Sequence, residues 1–353
     1  MDQRLPVFDW IRSVAIIIIV FHHLPWYAFN FYNLNYFGIP LNLSILNELN
    51  GYFGLSLFIF MSGYLLNIKK IYFSTWGEIQ VFAKRKLIRI FPLYYLALIA
   101  FALVEHVHSP AKILIHLLGL QLVIRTLTAS IPIRTLWFVG FITIFYAVFA
   151  IVKNHKLSQR SRLVILIASG LVPLALHILW GITDYRISLY WGVFWFGVLC
   201  AEKDLPNLKL WKDLSPVIAL VLVVMVVYFF LAFDPSVSLK GLSFEKYLLL
   251  NTLMFSYVIT TYNVCNWLSQ RFDFRSKLKS ISYISFCVYL FHRPIWATLS
   301  QVLVNQFGVD NKYWLLAVLI IGGLPLIIAV AYGLQSVYDQ HVRPYLLSAS
   351  KVA

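Results

Sequence analysis

The sequence predicts an all-α, multi-pass membrane bundle of about ten transmembrane helices with one short re-entrant or interfacial helix. Three observations lead there. Hydrophobic residues fill 61% of the 353 positions and charged ones only 12%, a balance outside the range of soluble globular domains. Mean hydropathy is +0.79. Apolar runs of about 17–25 residues, the length that spans a bilayer as a helix, recur along the whole chain.

The runs lie at 8–28, 51–68, 90–107, 131–152, 163–181, 187–201, 215–233, 247–268, 281–303 and 314–333. The first is too long for a cleaved signal, carries Arg12 and His23 inside it, and is followed by no small-residue cleavage pattern, so it is expected to remain as a span. The polar, turn-rich segment 29–50, with Asn30, Gly38 and Pro40, forms an outer connection that can cover a site opening outward. An eleventh run, AKILIHLLGLQLVI at 111–124, reaches only about 21 Å as a helix and is too short to cross. No loop is large enough for a separate soluble domain and no repeat is visible, so residues 1–353 read as one integral-membrane domain.

Charge orients the spans. With ten crossings and the N-terminus inside, only Lys112, Arg125, Arg134, Arg186, Lys240, Lys246, Arg293 and Lys312 of the 29 basic residues fall outside or within a span. The rest lie on the inner side, as the positive-inside rule requires. This predicts a plasma or inner membrane protein with both termini cytoplasmic. A full crossing by 111–124 would move Lys153, Lys156, Arg160 and Arg162 outside and break the pattern. The net charge of +15 therefore reflects orientation and not nucleic-acid binding. Cys200, Cys265 and Cys287 sit in apolar runs without disulfide or metal-ligand spacing.

Arg12 and His23 are eleven residues apart, and at about 100° per residue they return to within roughly 20° of one another, about 16 Å apart along a helix. Asp9 falls near the same face. Charged groups within a span are costly in lipid and turn toward cavities or partners, so this polar stripe marks a candidate functional site. His22 is rotated about 100° away from it.

Around these residues the chain resembles the membrane acyltransferase 3 family. FDWIRSVAIIIIVFHH carries its Asp-x-x-Arg start and its arginine and histidine with ten residues between them, which selects His23. GYFGLSLFIFMSGYLL (51–66) resembles the second span, with Ser62, Gly63 and Tyr64 as the Ser-Gly-aromatic element. FAKRKLIRIFPLYYL (82–96) resembles the basic start of the third, and ISYISFCVYLFHRPI (281–295) the tenth. Residues 150–270 match only as apolar spans. Two departures stand out. The family's Arg-x-x-Arg reads Lys86-Leu-Ile-Arg89, and the glutamate that many members carry five residues after the tryptophan of span five is Ile142 here, after Trp137.

The resemblance implies transfer of an acyl group, most often acetyl, from cytoplasmic acyl-CoA to a hydroxyl of a carbohydrate or lipid-linked glycan, with no metal. The residues fit that chemistry. Histidine's ordinary pKa suits it to take the proton of the hydroxyl, which makes His23 the candidate base; a histidine of the interfacial aromatic belt is the plainer reading. Arg12 would support the donor or its charge, or pair with Asp9 across one turn. Arg85, Lys86 and Arg89 suit the phosphates of CoA, although basic residues are also expected there for orientation. Tyr289, His292 and Arg293 in span ten, with Trp137 at the start of span five, are candidates for contacting the acceptor; a structural contact between spans and an interfacial anchor are the alternatives. A covalent acyl-histidine remains open. A transporter or flippase of a lipid-linked sugar would use the same stripe as a passage, and a non-catalytic binding protein would keep the scaffold alone.

The orientation is tested in the loop before span six. A cysteine placed at Ser158 should resist a membrane-impermeant thiol reagent applied to intact cells, and ready labelling would overturn the ten-span arrangement.

Overall fold

The computed structural model describes residues 5–29, 33–36, 39–42, 44–107, 109–123, 133–232 and 244–352. Arg4, Arg125 and Lys240 of the charge argument, and Asn30 and Gly38 of the outer connection, lie outside them. Over its described residues, each of the ten apolar runs is mainly helical. The long helices are α1 (Pro6–His23), α2 (Ser44–Asn67), α3 (Trp76–Val104), α5 (Trp137–Val152), α6 (Gln159–Trp180), α7 (Arg186–Lys203), α8 (Lys209–Ala232), α9 (Phe244–Arg271) and α10 (Arg275–Asn305). α4 is the short Pro110–Leu117. The last run is α11 (Lys312–Val318), α12 (Leu324–Val337) and α13 (Arg343–Val352), joined by two π-helical turns into one rod.

Among the described residues, seven helices are long and apolar enough to cross a membrane; Trp137–Val152 is apolar but has only 16 residues. In the apolar windows of α6 and α8 only 6% and 11% of residues are buried, so these helices turn almost their whole apolar surface outward, as lipid-facing helices do.

Three boundaries differ from the sequence expectation. α2 begins seven residues earlier, after an antiparallel hairpin of β1 (Asn33–Tyr36) and β2 (Ile39–Asn42) with Asn33 opposite Asn42. The apolar run from 111 stops being helical at Leu117, because Gly119 adopts φ +70° and turns the chain back. The α4 carbonyls of His116 and Leu117 accept hydrogen bonds from Tyr94 and Tyr95 of α3. α5 starts at Trp137, six residues into its run.

α2 is the centre of the packing because its glycines let two neighbours in. A Cβ at Gly54 would stand 2.5 Å from Ile19 of α1, and one at Gly63 would stand 2.1 Å from the carbonyl oxygen of Phe194 in α7. The contact is reciprocal, since a Cβ at Gly197 would meet the Phe60 carbonyl at 2.2 Å. Lipid offers helices little hydrophobic drive to associate, so close backbone approach at small residues supplies the packing.

One end of the bundle is basic and stitched together. Phe73 and the Lys153–His155 segment exchange backbone hydrogen bonds of 2.9 and 2.8 Å. The buried Lys153 ammonium pairs with Glu202, which also accepts from Tyr72 at 2.9 Å and Asn67 at 3.0 Å. Desolvation pushes the Glu202 carboxyl up, but these hydrogen bonds outweigh it and hold it below its ordinary range. The connections after α2, α5 and α7 therefore share one end.

The α2–α7 crossing gives a direct test. Gly63→Ala and Gly197→Ala should each destabilise the bundle by about 1–3 kcal/mol through overpacking, read as a lower unfolding temperature in detergent. Gly333→Ala, where an added Cβ meets nothing within 4 Å, should be neutral or better.

Candidate active site

Two cavities open from the basic end. The wider, about 1620 Å³, is walled by Asp9, Lys69, Lys70, Tyr72, Arg85 and Asn207 among others. The narrower, about 550 Å³, runs deeper between α2, α3, α5 and α10. Arg12, Leu65, Leu66, Lys86, Arg89 and Arg343 line both, so four cations stand at the junction. Arg12 donates to Ser282 of α10 at 2.9 Å, and the Lys86 ammonium lies 5.3 Å from the Tyr146 ring and 5.5 Å from that of Phe82. The cavity thus has a cationic mouth and an inner wall of Phe58, Met61, Ile90, Phe138, Ile142 and Phe286.

Three aromatic rings close its inner end. Tyr289 lies 5.3 Å from Phe138 and 6.4 Å from Phe58, which is itself 6.4 Å from Phe138. The Tyr289 hydroxyl donates to the Thr135 carbonyl, fixing the ring. His292 is one turn further along α10, its ring 6.3 Å from Tyr289 and about 15 Å from the level of Ser282. Neither cavity is lined by His23, His292 or Arg293.

Beyond the rings, α1 and α10 bring two imidazoles together. His23 Nδ1 faces the Ile19 carbonyl at 2.8 Å and His292 Nδ1 faces the Val288 carbonyl at 2.8 Å. A carbonyl oxygen can only accept, so each ring carries its hydrogen on Nδ1. His292 Nε2 then serves as acceptor toward His23 Nδ1 at 3.1 Å. The lone pair of His23 is left on Nε2, the state a general base needs. His22 Nδ1 donates to the Asn47 carbonyl of α2 at 2.6 Å, while its ring packs edge-on against that of His23 with centroids 4.7 Å apart. Arg293 is 2% exposed, donates to the Tyr27 hydroxyl at 2.8 Å and lies 4.4 Å from the Trp26 ring.

The structure therefore gathers the predicted residues into two groups. Arg12, Arg85, Lys86 and Arg89 surround the cavities, His23, His292 and Arg293 form the far cluster, and Tyr289 stands between them. Trp137 belongs to neither. It is buried beneath the Arg186 guanidinium, 4.1 Å away, which Asp184 holds through two 2.7 Å hydrogen bonds. It therefore has no open face for an acceptor. Sequence reasoning did not single out Ser282, Tyr27 or Arg343 as site residues. Ser282 and His292 are ten residues apart on α10, close to the eleven that separate Arg12 from His23, a signal that was available; Arg343 entered only as one more inner cation.

A family model described as an acyltransferase domain matches residues 5–335, nearly the whole chain. The chain belongs to the membrane acyltransferase 3 family. No match was found among curated proteins or solved structures. In this acyltransferase the two departures named above fall on one cavity: Lys86 stands at its mouth beside Arg89, and Ile142 gives its wall an apolar surface. Among the described residues no group of three or more His, Cys, Asp or Glu is placed to hold a metal.

The aromatic closure is testable by accessibility. In a background lacking Cys200, Cys265 and Cys287, a cysteine at Ser285, on the cavity wall, should react with a small water-soluble thiol reagent in open membranes. A cysteine at His292 should stay protected, and equal reactivity at the two positions would contradict the closure.

Proposed function

We propose that this chain is an acyl-CoA-dependent O-acyltransferase that moves an acyl group, in the first instance acetyl, to a hydroxyl of a carbohydrate or lipid-linked glycan. The observation that carries the reading is the pair of sites on one axis: a cationic cavity suited to phosphates at one end and a tautomerically fixed histidine beyond it. With ten helices crossing and the basic end in the cytoplasm, CoA would enter from the cytoplasm of a cell whose plasma or inner membrane holds the protein.

In this reading Arg12, Arg85, Lys86 and Arg89 hold the donor phosphates by charge-assisted hydrogen bonds. The pantetheine arm runs up the 550 Å³ cavity, and the Phe58, Phe138 and Tyr289 rings part to let the thioester reach His23. The acceptor hydroxyl attacks the thioester carbonyl while His23 Nε2 removes its proton. As the tetrahedral intermediate collapses, the carbon–sulfur bond breaks and that proton passes to the sulfur, giving an ester and free CoA. His292 keeps His23 in the required tautomer, Arg293 offsets the oxyanion charge, and Ile142 leaves no carboxylate to share the proton.

Purified protein in lipid, incubated with labelled acetyl-CoA, should label glycan or lipid acceptors detectable by mass spectrometry; a carrier would move substrate and label none. His23→Ala should lower turnover by about 10² to 10⁴ while CoA binding persists, and His22→Ala should retain most activity. Near-normal turnover in His23→Ala refutes the assigned base.

A further inference from the structure

The last stretch of the described chain completes the cavity mouth. Residues beyond 335 lie outside the span matched by the family model, yet Tyr338, Asp339 and Arg343 all line the narrower cavity, and Arg343 lines the wider one as well. The π-helical turn Tyr338–Val342 lies within the rod here. The Tyr338 hydroxyl donates to the Ile88 carbonyl, which docks this turn on α3 within one residue of Arg89. Arg343 thus shares the cavity mouth with Lys86 and Arg89 of α3.

Its electrostatics suit an exchangeable partner. Arg343 Nη1 is 3.2 Å from Asp339 one turn back, with the two side chains 46% and 25% exposed, and Asp339 is held from behind by Gln335 at 2.9 Å. An exposed pair of this kind contributes little to stability, so a stronger anion can displace it. The narrower cavity's wall carries Arg12, Lys86, Arg89 and Arg343 against Asp339 alone, an excess of three positive charges. Such a mouth selects a compact polyanion, and a guanidinium can grip phosphate oxygens in bidentate fashion where the Lys86 ammonium cannot.

We infer that Arg343, from the C-terminal helix, is a phosphate-binding residue of the donor site, clamping the nucleotide end of acyl-CoA against Arg89 and Arg12. The inference rests on the donor reading above and adds a residue and an element to it. Donor binding exchanges the Asp339 partner for phosphate, so the C-terminal rod is held to α3 from both sides of the ligand.

The test measures CoA affinity of the full chain in lipid nanodiscs by calorimetry, with S-acetylpantetheine, which lacks every phosphate, as the comparison ligand. Arg343→Gln should weaken CoA binding about tenfold or more, leave S-acetylpantetheine unchanged, and differ less from the parent at high salt. Arg343→Lys should recover part of the loss. Asp339→Asn should bind CoA as well or better, since it removes the competing carboxylate. Parent-like CoA affinity in Arg343→Gln alongside a weakened Arg89→Glu, or weaker binding in Asp339→Asn, overturns the clamp while sparing the donor reading. Failure of the parent protein to bind CoA removes the donor reading itself, and the clamp with it.

Discussion

The approach of α2 to α7 at Gly63 and Gly197 is the contact on which the rest of the site depends. Neither backbone can accept a methyl group there, with would-be Cβ positions 2.1 and 2.2 Å from the facing carbonyls. Because Gly63 is pressed against α7, its neighbours Ser62, Leu65 and Leu66 are turned onto the cavity wall. Gly54, on the same helix, admits Ile19, whose carbonyl holds the His23 ring. One glycine-bearing helix thereby fixes both the cavity and the tautomer of the candidate base.

The second constraint is hydrogen-bond bookkeeping inside an apolar bundle. Polar groups away from water must find partners, and here they find them in backbone carbonyls four residues back and in one another. His23, His292 and Arg293 use the Ile19 carbonyl, the Val288 carbonyl and the Tyr27 hydroxyl. These three pairings draw on no carboxylate. They also orient the imidazoles, so the same bonds that make the residues tolerable make one nitrogen available.

The aromatic rings stand between the cationic cavity and this buried cluster. A wall of Phe58, Phe138 and Tyr289 divides the space. The apolar Ile142 beside it extends that wall. The cations at the mouth remain where ions can reach them, and the histidines where ions cannot.

How much of this the sequence alone determined follows from the range of each interaction. Helical periodicity is local, so the all-helical, membrane-type bundle was legible in the chain. The family's motifs identified the class of chemistry, and the model match over 5–335 agrees with it. Only the tertiary structure decided which distant groups meet: Arg12 with Ser282, His23 with His292 and Arg343 with the α3 cations join elements far apart in sequence. It also divided the single expected stripe in two, because the closing rings come from α2, α5 and α10 together. Trp137 shows the same limit, since a tryptophan at the start of a span fits an acceptor route and an interfacial anchor equally, and only the fold brings Arg186, 49 residues later, to 4.1 Å from its ring. A periodic pattern specifies a face, whereas what that face touches depends on how the other helices pack.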